Sequence, residues 1–100
     1  MEQAQLGFDR YFEVAIETDE AQAAEMTVEP GQSVGGPENY HADSDQWLFV
    51  VSGTGIVTVD GETHRIDASD LVRIEAGERH GIKNDGTEPL ETVNFYTPPR

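Results

Sequence analysis

Trp47-Leu48-Phe49-Val50-Val51, Ser52-Gly53-Thr54-Gly55, Ile56-Val57-Thr58-Val59, Asp60-Gly61 and Glu62-Thr63-His64-Arg65-Ile66 follow one another without a gap, and this stretch decides the fold. Short segments rich in β-branched and aromatic residues are separated first by a glycine turn and then by Asp-Gly, a strong two-residue hairpin signal. The continuous apolar run 47–51 reads as a strand buried on both faces between two sheets. Residues 56–59 and 62–66 read as the hairpin that follows it.

The same rhythm extends in both directions. Upstream, Phe12, Val14 and Ile16 alternate with Glu13, Ala15 and Glu17, and Ala24, Met26 and Val28 alternate with Glu25, Thr27 and Glu29. They predict two antiparallel strands with one wet face. Pro30-Gly31 closes the second, and Gly35-Gly36-Pro37 opens a loop leading to Tyr40, His41 and Asp43. Downstream, strands are expected at Leu71–Ile74, His80–Asn84 and Glu91–Tyr96, separated by Asp67–Asp70, Ala76-Gly77-Glu78 and Asp85-Gly86 and ended by Pro98-Pro99. About nine short strands at even spacing predict an all-β domain over 1–100, with 12–97 closing into a barrel that leaves few sheet edges open. No long amphipathic helix, linker or internal repeat interrupts the pattern.

Twenty Asp and Glu against six Lys and Arg give a net charge of −14, which repels phosphate polymers and anionic bilayers, so nucleic-acid and membrane partners are not expected. The 36% apolar content is too rich for a disordered acidic tail. No apolar run spans a bilayer and residues 1–5 lack a basic, apolar leader, which predicts a cytoplasmic address. Without cysteine, any metal must be held by nitrogen and oxygen.

Two stretches carry a family resemblance. Gly35, five residues, His41, Ala42 and Asp43, followed by Gln46, six residues and Gly53, resemble the first cupin motif, Gly-x5-His-x-His-x3,4-Glu-x6-Gly, with the join one residue short. Glu75 to Asn84 is similar to the second, Pro-x-Gly-x2-His-x3-Asn, at Gly77, His80 and Asn84. The resemblance implies a cupin-type double-stranded β-helix, a jelly-roll barrel. It also implies a single divalent metal ion (Zn, Fe, Ni, Cu or Mn) held by His41, Asp43, Gln46 and His80, with Asp43 standing for a histidine and Gln46 for a glutamate. Gln46 adds no charge to hold an ion. If Gln46 fixes the strand register, Tyr40 and Ala42 face the ligand; if the loop is simply shorter, His41 and Asp43 do.

Dioxygenase-, isomerase- or decarboxylase-like chemistry on a small oxygenated molecule is what the family implies, and a metal-free ligand-binding or structural barrel is the alternative. Gln46, Trp47, Phe49, Asn94 and Tyr96 are candidate lining residues, because Trp47 and Phe49 share one strand face and Asn94 and Tyr96 share another. Core packing is the plainer reading for the aromatics. His64 belongs on the surface, Asp45 caps a turn, and Arg73 and Arg79 answer neighbouring carboxylates. Cupin barrels of this size usually pair, so a homodimer is expected, with Phe12–Glu17 extending a neighbour's sheet.

Overall fold

The computed structural model describes residues 1–35 and 43–100. Asp60 and Gly61 have φ of 47° and 85°, the left-handed pair that a two-residue turn matched to strand twist requires. Val59 and Glu62 pair directly across it. Around this hairpin, the described strands are β1 (Phe12–Glu17), β2 (Gln22–Val28), β3 (Ser33–Gly35), β4 (Asp45–Ser52), β5 (Thr54–Val59), β6 (Glu62–Asp67), β7 (Leu71–Ile74), β8 (His80–Lys83) and β9 (Leu90–Thr97).

They form an antiparallel five-stranded sheet, β1-β2-β9-β4-β7, facing a four-stranded sheet, β3-β8-β5-β6. After β4 the chain changes sheet at nearly every connection, as in a jelly roll. The first change passes Gly53, at φ 89°, where a Cβ would lie 2.4 Å from the Pro89 carbonyl oxygen. No other residue fits there.

Between the sheets lie Met26, Val28, Leu48, Val50, Val57, Ile66, Ile74, Ile82 and Leu90. β4 is buried on one face only. Leu48 and Val50 point into the core, whereas Trp47, Phe49 and Val51 are 37%, 38% and 39% exposed. The expectation of a doubly buried strand is therefore corrected: two stacked sheets give each strand one inner face, and the aromatics of this run take the outer one. β1 departs from its expected alternation too. A register shift between Val14 and Ile16 leaves Phe12 and Val14 opposite Met26 and Ala24 but puts Ile16 opposite Ala23, on the other face.

Asn84 closes the end of the second motif from inside the protein. Its buried amide nitrogen donates to the carbonyls of Val28 and Glu88, each at 2.8 Å, and its oxygen accepts from the Gly86 N–H at 2.9 Å. One side chain thus ties β2 to the loop between β8 and β9. Replacing it by alanine orphans three backbone groups, two of them carbonyls that no longer have this donor. Urea unfolding of Asn84→Ala is expected to show a loss of about 3 kcal/mol, from roughly 1–3 kcal/mol per unsatisfied buried group discounted for relaxation and water entry. A loss below ~1 kcal/mol would show the tie to be dispensable.

Candidate functional site

At one end of the two sheets the core opens into a cavity of about 190 Å³ lined by Tyr11, Phe12, Gln46, His80, Tyr96 and Arg100, with Met26 and Ile82 among its apolar walls. Gln46 reaches it because it shares the inner face of β4 with Leu48 and Val50. Tyr96 lies opposite Gln46 on β9, and Asn94 opposite Leu48. All three side chains are buried.

A directional hydrogen-bond chain sets the polarity of this wall. The Thr92 hydroxyl donates to the Met26 carbonyl at 2.9 Å, so its oxygen accepts from Asn94 Nδ2 at 3.0 Å. Asn94 Oδ1 in turn accepts from Gln46 Nε2 at 2.8 Å. A backbone carbonyl can only accept, so the order of donation is fixed from Met26 outward. Gln46 Oε1 ends the chain, buried and without a hydrogen-bond partner among the described residues. Such an acceptor is costly unless something donates to it or coordinates to it.

His80, the first residue of β8, is 4% exposed. Its Nδ1 lies 3.3 Å from the Glu78 carbonyl, which assigns the proton of the neutral ring to Nδ1 and leaves Nε2 as an acceptor. Burial pushes the imidazole pKa below its ordinary value, the Glu78 hydrogen bond and charge oppose this, and the Arg100 guanidinium adds to the downward push. Burial raises the Tyr96 phenol, and Arg100 partly offsets it. Arg100 itself lies 4.4 Å from the Phe12 ring centroid and 5.1 Å from that of Tyr96. Those two rings meet at 6.5 Å, tilted by 54°.

The structure brings His80, Gln46, Asn94 and Tyr96 to one place. Asp43 is exposed and is not among the residues that line the cavity. Within β4 the inner face is that of Gln46, Leu48 and Val50, so Asp45 falls on the other face. Asp45 accepts instead from the Ala76 N–H and from Arg73, both at 2.9 Å, and these contacts lower its pKa. Trp47 and Phe49, expected as lining, stand on the outer face for the reason given above. His41 lies outside the described residues, as do Tyr40 and Ala42. Tyr11, Phe12 and Arg100 were not marked by motif or spacing; the only signal was Arg100's place just beyond the last strand, at the same end as Tyr96.

Two other features compete. A hollow of about 700 Å³ lies over outward residues of the four-stranded sheet such as Ser33, Ile56, Thr58 and Lys83. Asp9, Glu13 and Glu25 hold carboxylate oxygens within 4.8 Å of one another on the outside of β1 and β2, a cluster that could hold a cation. Both oxygens of the buried Glu25 already accept from backbone, from Gly7 N–H at 3.2 Å and Phe8 N–H at 3.0 Å. Neither feature has an unsatisfied buried atom such as Gln46 supplies.

The family model for the cupin domain matches residues 24–96. The chain belongs to the cupin family. It is 36% identical over 69 residues to the tetracenomycin polyketide synthase protein TcmJ of Streptomyces glaucescens, covering 69% of this cupin and 45% of TcmJ. It is 31% identical over 75 residues to a mannose-1-phosphate guanylyltransferase of Escherichia coli, covering 75% of this chain and 15% of the enzyme. A cupin of Methanocaldococcus jannaschii with a double-stranded β-helix superposes at a TM-score of 0.83 and 20% identity, over 98% of this chain and 91% of the other, which shows the shared fold. This cupin thus spans less than half of either curated relative. Among the described residues no helix is long and apolar enough to cross a membrane.

The lowered His80 pKa has a stability consequence with a definite sign. The folded state disfavours the imidazolium, so the unfolded chain binds more protons between the folded pKa and about 6.5. Stability is full above ~6.5 and falls as pH drops through that window. The thermal midpoint should decline between pH 7.5 and 5.5, and His80→Asn should flatten that decline. An NMR titration placing the His80 midpoint at or above ~6.5 would contradict it.

Proposed function

We propose that this cupin binds a small oxygenated molecule in the cavity at the end of the barrel, through Gln46 Oε1 and His80, without requiring a metal ion. The observation that carries the reading is the buried Gln46 oxygen, without a partner among the described residues and held in place by a hydrogen-bond chain that runs back to a backbone carbonyl. A ligand hydroxyl would satisfy it, and the neutral imidazole beside it would accept or orient a second polar group. The relatives named for polyketide and mannose-1-phosphate chemistry are linked to oxygen-rich small molecules, which supports this class of ligand.

The donor set argues against a metal centre. The cavity lining includes one imidazole and one neutral amide oxygen among the described residues, and no carboxylate. Such a pair adds no negative charge and fills too few positions for a divalent ion. Dioxygenase- or isomerase-like chemistry through an ion would depend on His41 to extend the set.

Elemental analysis after repletion with Mn, Fe, Ni, Cu and Zn separates these readings. We expect no stoichiometric metal, together with ligand-induced thermal stabilisation by small polyols or hydroxy acids that Gln46→Leu abolishes. One ion per chain, lost in His80→Ala, would replace this reading with a metal-centred one.

We also propose a homodimer. Trp47 pairs with Phe95 and Phe49 with Leu71 on the outer face of the five-stranded sheet, and all four remain substantially exposed. The centre of this patch carries no carboxylate, so two chains of charge −14 can meet there with less repulsion than elsewhere. It suits a second copy better than the free edge of β1. Light scattering should give a dimer that strengthens with salt and a monomer for Phe95→Glu; a monomeric wild type at all salt concentrations would remove the proposal.

A further inference from the structure

The geometry points to a hydroxycarboxylate as the ligand of the barrel cavity, its carboxylate held by Arg100 and its hydroxyl donated to Gln46 Oε1. This inference rests on the cavity reading above and goes further by naming the charge of the ligand.

Three observations converge on it. The first concerns Arg100. In a chain with twenty acids and six bases, Arg10 pairs with Glu13, Arg65 with Asp85, and Arg73 with Asp45 and Glu75. Arg100 pairs with no carboxylate among the described residues. It lies instead against the rings of Phe12 and Tyr96, which hold a guanidinium in place through its face while leaving its in-plane N–H fork free to engage an anion. A planar carboxylate is the group that this fork matches bidentately.

The second is the opposite polarity of Gln46, which lines the same cavity. Gln46 Oε1 can only accept, and it is the terminus of a chain whose direction Met26 fixes. A carboxylate could not satisfy it, since both groups are acceptors. The ligand that meets both ends therefore carries a donor such as a hydroxyl and an anionic group on one small skeleton.

The third is size. At about 190 Å³ the cavity falls below the roughly 300–1,000 Å³ of pockets for drug-sized molecules, so it suits a small ligand.

Lactate and propane-1,2-diol test the inference, because they share a three-carbon skeleton and a hydroxyl and differ in the carboxylate. Titrations of isotopically labelled protein, followed at the Gln46 side-chain amide and the His80 ring, should show lactate binding at least ten-fold more tightly than the diol. Acetate, which has the carboxylate without the hydroxyl, should bind more weakly than lactate. Arg100→Gln, at an exposed position, should remove the preference for lactate over the diol, and Arg100→Lys should restore part of it. Equal binding of lactate and diol, or an undiminished preference in Arg100→Gln, would overturn the hydroxycarboxylate assignment while leaving a neutral-ligand cavity standing. No response of Gln46 and His80 to either probe would overturn the cavity reading itself and this inference with it.

Discussion

The carbonyl of Met26 cannot donate a hydrogen bond, and the chemistry of the cavity follows from that limitation. Thr92 must donate to it, Asn94 must donate to Thr92, and Gln46 must donate to Asn94. The amide orientations, which hydrogen-bond geometry alone often leaves ambiguous, are settled here by an anchor with a single role. Three polar side chains from two adjacent strands are carried through an otherwise apolar interior, and all but one of the atoms in the chain are satisfied. The remaining atom belongs to Gln46, a residue of the cavity lining. A fully apolar replacement of this set would remove a costly orphan, so its retention alongside the dry core of Leu48, Val50 and Leu90 is best understood through what the orphan binds.

Much of the fold was legible from the sequence because turns are specified locally. Asp60-Gly61 requires two left-handed residues, and Gly53 requires the absence of a Cβ; both requirements appear in residue identity. Strand pairing was less legible. That β9 lies between β2 and β4, and β8 beside β5, follows from the sheets stacking around a common core, and no local pattern encodes it. The outward placement of Trp47 and Phe49 was hidden for a related reason: an uninterrupted apolar run has no period from which a face can be read. The bulge in β1 likewise reverses Ile16 without any glycine or proline to mark it.

The candidate site divides along the same line. Gln46, His80, Asn94 and Tyr96 were visible because motif spacing or strand alternation places them; Gln46, His80 and Tyr96 line the cavity, and Asn94 holds Gln46 without lining it. A motif match counts residues along the chain, whereas facing depends on the register of the strand, and within β4 Gln46 is the first residue on the inner face. Asn84 illustrates a converse point: a motif residue can owe its place to the backbone it ties together rather than to the ligand, and its three hydrogen bonds account for it fully.

Net charge then gives Arg100 its significance. A protein with more than three acids for every base presents a field that discourages anions from approaching anywhere on its surface. An anion-binding site in such a protein has to be local and geometrically specific, since long-range attraction is unavailable to it. A guanidinium lying against two aromatic rings is local and specific although its residue is exposed, because the rings fix its position and no described carboxylate neutralises it. High salt would screen the repulsion from the surrounding acids, leaving short-range fit to decide which ligand binds. The acidity and the cationic mouth are therefore compatible, and together they favour ligands that fit closely over anions in general.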